Sequence, residues 1–416
     1  MIAARVMTDT HALDELRAAA VRFFSDPAAR TNPAMLYGRL TREAPVLDLG
    51  PMWLVSGFHE VTRLSTRSEL RSFPSVRGRI FPMTMAPTLA TLLALMLPVR
   101  DGADHRRLKG LAMATFSLRR ISQLKQLIED SVDTILNQAT ARGEMDVVTD
   151  LALPLPIAIS TAMLGIPAGD RRQVHKWAML ALRQFFRYSQ GTTEVDLVEA
   201  QLRDFAKYVR ALCDIRRQHP GDDLISGLAS AADAGQLSTD ELVAYILMLF
   251  LNGLEPLTAG LTMAIWELLQ HPEERPAVAR ERDHAEAVFD EAIRLHSPVR
   301  FSARTLIADV ELNGHRLREG DVVVLFYSAA NRDPRYFPNP DHFDPARACG
   351  HHVGFGHGPH HCLGASQSLN AGAIVLERIA QSGDTLTADI TPSTMAWSPS
   401  LPYTTLESLP VRVARK

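Results

Sequence analysis

From Ser238 to Leu269 the sequence is apolar on nearly every side, and a helix of that kind fits only inside a large protein. Its start is marked by Ser238-Thr239-Asp240-Glu241, a capping box in which the serine caps a downstream amide and the glutamate reaches back. Its end is marked by His271-Pro272. The 32 residues give a rod of about 48 Å at 1.5 Å per residue. A 416-residue chain with 46% hydrophobic and 22% charged residues has the bulk to bury such a rod. Midway along it stands Asn252-Gly253-Leu254-Glu255-Pro256, a polar break. Pro256 has no N–H and its ring crowds the carbonyl of Asn252, so the helix is expected to kink or open there.

The rest of the chain reads as mostly helical, with short strands near both ends. Helices are expected over Asp101 to Phe116, Ser122 to Thr140, Pro156 to Leu164, Glu286 to His296 and Ala365 to Gln381. Trp53 to Ser56 reads as a strand. Val310-Glu311-Leu312 and Val322 to Leu325 read as two strands flanking the turn signal Asn313-Gly314. With 44 Lys plus Arg against 47 Asp plus Glu, the chain has no basic excess, so a nucleic-acid partner is not expected. Three cysteines cannot form a disulfide framework, which points to a reducing compartment. The N-terminal stretch turns acidic at Asp9 without a continuous apolar core, and a membrane anchor is not expected. A soluble, cytoplasmic protein follows from that reading.

The sharpest local signal is Phe355-Gly356-His357-Gly358-Pro359-His360-His361-Cys362-Leu363-Gly364. Glycines let backbone amides turn toward a thiolate, and the following helix start favours an anion and lowers a thiol's pKa. Two other readings stand beside it. A lone cysteine is more often a small buried side chain. His351, His352, His357, His360, His361 and Cys362 also lie within twelve residues, a composition that can bind zinc.

The Phe-x-x-Gly-x-His-x-Cys-x-Gly run resembles the haem-thiolate signature of the cytochrome P450 family. Three more segments are similar in the same order. Glu291-Ala292-Ile293-Arg294 resembles its Glu-x-x-Arg helix, 68 residues before the cysteine. Ala330 to Pro334 through Phe343 to Arg347 resembles its meander, and Asp101 to Phe116 the helix that follows its substrate loop. The likeness runs from about Trp53 to the C-terminus. It implies a mainly α fold with a small β lobe, a triangular helix-rich prism around a buried haem. Residues 1–416 would be one domain, with the β-rich lobe near 30–80 and 300–330 and helices elsewhere. It also implies haem b with Cys362 as the iron ligand, and a thiolate there pushes electron density onto iron. Phe355, Gly356 and Gly364 would shape the haem loop. His105, Lys109, Arg304 and His360 would meet the haem carboxylates, with Lys109 standing where the family usually has arginine. Glu291, Arg294 and Arg347 would form the ion network behind the haem.

In that family the long helix carries small-Gly-x-acid-Thr, where acid and alcohol relay protons during oxygen activation. Here Glu255 keeps the acid, Pro256 replaces the threonine, and Asn252 sits at the small position. These three are the candidate catalytic residues, and a substrate hydroxyl or ordered water is expected to supply the missing donor. Candidate substrate contacts are Met83, Met85, Leu93, Phe185, Leu254 and Val299. The implied activity is a monooxygenase acting on an apolar, hydroxyl-bearing secondary metabolite, polyketide- or terpenoid-like. It uses O2 and electrons from NAD(P)H through a ferredoxin reductase and a ferredoxin. Diverted chemistry (peroxide use, rearrangement or coupling) and a non-catalytic haem sensor are the alternatives.

Overall fold

A computed structural model of the chain describes residues 2–72, 86–115, 118–186, 192–347, 351–391 and 394–415. They gather into two compact units. One comprises Met1–Val76, Ala259–Cys362 and Ile390–Leu409, and the other Arg77–Thr258, Leu363–Asp389 and Pro410–Lys416. In chain order the strands are β1 (Val46–Asp48), β2 (Trp53–Val55), β3 (Leu70–Arg71), β4 (Glu144–Asp146), β5 (Ser302–Leu306), β6 (Val310–Leu312), β7 (His315–Leu317), β8 (Val322–Leu325), β9 (Thr385–Thr387) and β10 (Pro410–Ala414).

The first unit holds a five-stranded sheet in the order β1-β2-β8-β5-β3. All four residues of β8 are buried, because it lies inside the sheet and is covered on both faces. That explains why Val322-Val323-Val324-Leu325 does not alternate. β8 pairs parallel with β2 and antiparallel with β5, not with the β6 strand expected from the sequence. The true partner of β6 is β7, joined through Asn313 at φ 50° and Gly314 at φ 79°. Two successive positive φ angles define the two-residue turn that Asn-Gly favours. The loop is simply tighter than expected. Both expected β-rich stretches contribute to this unit, together with the helices Ile2–Ser25, Ala34–Glu43 and Arg282–His296.

The second unit is mainly helical: Gly102–Thr115, Leu118–Arg142, Pro154–Leu164, Arg171–Phe186, Thr192–Gln218, Leu224–Asp233 and Ala365–Gln381. It also carries the sheet β4-β10-β9, so the region expected to be helical is not wholly so. The helix expected from Pro156 begins at Pro154 instead. Proline at the first helical position costs nothing, since that N–H has no intrahelical partner. A wide π-type turn, Val147–Ala152, precedes it and is capped by Asp146, whose Oδ1 accepts from the amides of Val148 and Thr149 at 2.8 and 3.1 Å.

The central helix runs Thr239–Gln270, and the division between the units falls inside it, after Thr258. Leu242, Val243, Ile246, Leu247, Phe250, Leu251 and Leu254 all enter the core of the second unit. Each buried side chain of this size contributes about 1.5–3 kcal/mol. The helix stays continuous through Pro256, so the expected opening does not end it. By length and composition this helix and Val147–Leu164 are each able to cross a membrane, but 67% and 50% of their apolar stretches are buried inside the protein. The capping box forms as the sequence predicts. Ser238 N donates to Glu241 Oε2 at 2.8 Å, and Glu241 N to Ser238 Oγ at 3.1 Å. Ser238→Ala should lower stability by about 1 kcal/mol. The reading is a lower urea midpoint with an unchanged slope; an unchanged midpoint would show that the cap contributes nothing.

Candidate functional site

Two glycines give the Cys362 loop its path. Gly356 and Gly358 have φ of 73° and 71°, a region that side chains disfavour. At Gly358 a Cβ would stand 2.6 Å from the backbone oxygen of Ser65, an atom with no freedom to yield. The loop closes where Cys362 N donates to Phe355 O at 2.8 Å. Cys362 is solvent-exposed, whereas Cys213 is buried in the other unit. Burial raises the Cys213 thiol to about 11, so it stays protonated and inert. Cys349 lies outside the described residues. Three residues after Cys362 the Ala365–Gln381 helix begins without a side-chain cap and without an acid in its first turn. Its N-terminal amides therefore offer partial positive charge to an anion.

His360 and Arg304 belong to the same unit as Cys362. Both are half-buried; His360 Nε2 lies 3.3 Å from Ser72 Oγ, and Arg304 Nη1 donates to Ala303 O at 2.9 Å. Phe355 packs between the rings of His352 and His361, at centroid distances of 5.7 and 6.5 Å. Among the described residues no three His, Cys, Asp or Glu side chains gather as a metal-holding group, so the histidine run is not assembled as a zinc cage.

Behind the loop lies a buried ion network. Arg294 is fully buried, and its Nε and Nη2 donate to Glu291 at 2.7 and 2.8 Å. Its Nη1 donates to the carbonyls of Asn331 and Pro340 at 2.8 and 2.9 Å. Arg347 reaches Glu291 Oε1 at 3.4 Å and donates to Pro338 O at 2.5 Å. All three residues expected in the network are thus brought together. Asn331 was not expected there. It also accepts from Val353 N at 2.7 Å and donates to Ser297 Oγ at 2.8 Å, linking network to loop. Its only sequence signal was its place in the meander.

In the second unit His105 is buried and Lys109 half-buried, one turn apart on the Gly102–Thr115 helix. Between them Arg107 is committed to Asp104 and Glu241, each at 2.6 Å. On the central helix Asn252 is exposed although Leu251 and Leu254 beside it are buried. Glu255 and Pro256 are half-buried. Burial holds the Glu255 carboxyl above its ordinary range. Asn252 and Pro256, four apart, share a helix face.

Three of the six expected substrate contacts have described side chains. Leu254 and Leu93 are packed in the second unit's core at 1% and 6% exposure. Val299 is half-buried and bridges to Tyr403 in the first unit. Met83 and Met85 lie outside the described residues, as does the side chain of Phe185.

Comparison with known proteins gives a consistent result. The cytochrome P450 family profile matches residues 95–379. A cytochrome P450 of Bacillus subtilis (strain 168) is 30% identical over 369 residues, covering 87% of this chain and 88% of its own. The polyketide biosynthesis cytochrome P450 PksS of the same organism is 29% identical, covering 92% and 96%. The crystal structure of CalO2 superposes with a TM-score of 0.86 at 30% identity, covering 93% of this chain and 97% of that one.

Asp333, in the meander, supplies a pH test of the first unit. Burial alone would raise its pKa, but Arg335 and the Phe58 amide, which donates to Oδ2 at 2.9 Å, outweigh it and hold the carboxyl below 3.8. The stability it contributes is therefore present above pH 3.8 and fades as pH falls through the lower folded value. Asp333→Asn should cost about 1–3 kcal/mol at neutral pH. It should also flatten the acid limb of unfolding free energy against pH; a parallel limb in the variant would refute this assignment.

Proposed function

The chain belongs to the cytochrome P450 family, whose members among its relatives are monooxygenases, and from that premise we propose a haem-thiolate enzyme that oxidises an apolar, hydroxyl-bearing secondary metabolite of polyketide or terpenoid type. One observation carries the reading: a cysteine at the end of a glycine-shaped loop, ahead of a helix start with no cap of its own. That donor set fits haem. A single soft sulfur suits a metal ligand, and the side-chain donors of His360 and Arg304 in the same unit suit carboxylates. Cys362 would hold the iron, with Phe355, Gly356 and Gly364 shaping the loop around it. His105, Lys109, Arg304 and His360 would neutralise the haem carboxylates. When bound, a thiolate-ligated haem supplies oxygen activation. We take the two units as parts of one P450 domain in a cytoplasmic protein. Its electrons would come from NAD(P)H through a ferredoxin reductase and a ferredoxin. The polyketide role named for PksS supports the substrate class.

The chain's own residues then handle protons. Glu255, with its raised pKa, keeps its proton to higher pH than an exposed carboxyl and loses it as pH rises through that value. Pro256 carries no hydroxyl, and the Asn252 carbonyl receives no N–H from it. In this reading the exposed Asn252 amide, with the carbonyl that Pro256 cannot bond, would hold a water or a substrate hydroxyl, which replaces the usual alcohol. The same substitution favours a second reading, in which the enzyme uses hydrogen peroxide or carries out a rearrangement or coupling.

Reduced protein with carbon monoxide should show the Soret band typical of thiolate-ligated haem, and Cys362→Ala should abolish it. Retention of the band in that variant would remove Cys362 as ligand. Pro256→Thr should change the ratio of product formed to hydrogen peroxide released. An unchanged ratio would count against the hydroxyl-replacement scheme and favour the diverted chemistry.

A further inference from the structure

Upstream of Cys362 the loop is fastened by a contact that the chemistry above does not use. The His352 side chain is 3% exposed. Its Nε2 lies 2.9 Å from Asp290 Oδ1, and its Nδ1 lies 2.9 Å from the backbone nitrogen of Gly354. A backbone N–H can only donate, so Nδ1 accepts and carries no proton. The ring is then neutral, and its one proton sits on Nε2, directed at the Asp290 carboxylate. The surroundings thus dictate the tautomer as well as the ring's orientation.

Little around this contact can move. A Cβ on Gly354 would stand 2.8 Å from Ile293 Cγ2 and 2.9 Å from His352 Nδ1. The next residue, Phe355, tilts against the His352 ring, and its carbonyl accepts the Cys362 amide at 2.8 Å. A short path therefore leads from Asp290 through His352, Gly354 and Phe355 to the backbone of Cys362. Asp290 precedes Glu291 on the Arg282–His296 helix, so one helix grips the loop through His352 and the ion network through Glu291.

We propose that His352, oriented by Asp290, is a positioning residue for the Cys362 loop and sets how strongly the thiolate donates to the metal. The inference rests on the haem-thiolate reading above. Groups hydrogen-bonded to a metal ligand orient it and tune its basicity, and their loss commonly costs 10–100-fold in metal affinity or activity; His352 acts further back, through the Phe355 carbonyl that accepts the Cys362 amide.

The test uses the haem-loaded protein. His352→Asn keeps an acceptor near Nδ1 and loses the reach to Asp290. His352→Gln keeps a donor toward Asp290 and loses the acceptor for Gly354. Asp290→Ala removes the orienting carboxylate. Leu312→Ala, in the hydrophobic core of the same unit, is the control for general destabilisation. Three quantities are read: the rate at which the ferrous carbon-monoxide spectrum passes from the thiolate to the neutral-thiol form, the ferric/ferrous potential, and the unfolding midpoint. Conversion should be roughly tenfold faster in all three loop variants, with a higher potential, and unchanged in Leu312→Ala even where its midpoint falls equally. Parent-like rates and potentials in the loop variants, or equal changes in Leu312→Ala, would overturn the proposal. Should Asp290→Ala not load haem, Asp290→Asn, which keeps an oxygen acceptor and loses the charge, is read instead, with a change in the same direction and smaller than tenfold; parent-like values in it and in both His352 variants would overturn the proposal. A parent protein with no thiolate band would sink the haem-thiolate reading itself, which separates that failure from this one.

Discussion

The fully buried guanidinium of Arg294 is the constraint around which the first unit is arranged. A charge taken out of water needs a counter-charge and partners for its remaining donors, or it costs several kcal/mol. Glu291, one turn earlier on the same helix, supplies the charge. The other donors go to the carbonyls of Asn331, Pro340 and His342, which no regular strand or helix could present together. The irregular path of the meander follows from that demand. So does the place of Asn331, whose side chain passes the restraint on to Val353 at the start of the cysteine loop. An exposed Glu-x-x-Arg pair on a helix would contribute only a few tenths of a kcal/mol. Burial is what turns the same two residues into an organising centre.

Legibility in the sequence followed the range of the interaction. The capping box at Ser238 and Glu241 and the helix Ala365–Gln381 rest on contacts a few residues apart, and both appear as read. Pro154 and Pro156 both suit a helix start, and nothing local chose between them. The hairpin turn at Asn313-Gly314 was plain, but its second strand was not: β7 reads His315-Arg316-Leu317, and two of its three residues are exposed. β8, more hydrophobic, drew the pairing because its real partners lie far away in sequence. The same limit applies to the candidate site. Cys362, Glu291 and Arg294 sit in spaced motifs, while the roles of Asn331, His352 and Asp290 exist only once distant segments meet.

The central helix shows how much a proline can be tolerated when packing dominates. Interior proline costs about 3 kcal/mol or more in an isolated helix. Around Pro256 the apolar faces of Phe250, Leu251, Leu254 and Leu261 are nearly all buried, and their combined burial exceeds that penalty several-fold. The helix therefore continues through Pro256. Asn252, one turn before the proline, is an exposed polar residue between the buried Leu251 and Leu254.

The parallel pairing of β2 with β8 has a consequence for how the chain is made. Trp53 lies opposite Val323. At synthesis speeds of about 5–20 residues per second, the 269 residues between them take roughly 15 to 50 s to emerge. For that interval β1 and β2 have only each other, and one long edge of Trp53-Leu54-Val55 has no neighbour. An unpaired apolar edge held open for that long is a template for aggregation. Expression yield of this chain should thus depend on the pace of translation and on chaperone capacity, quite apart from how stable the finished protein is.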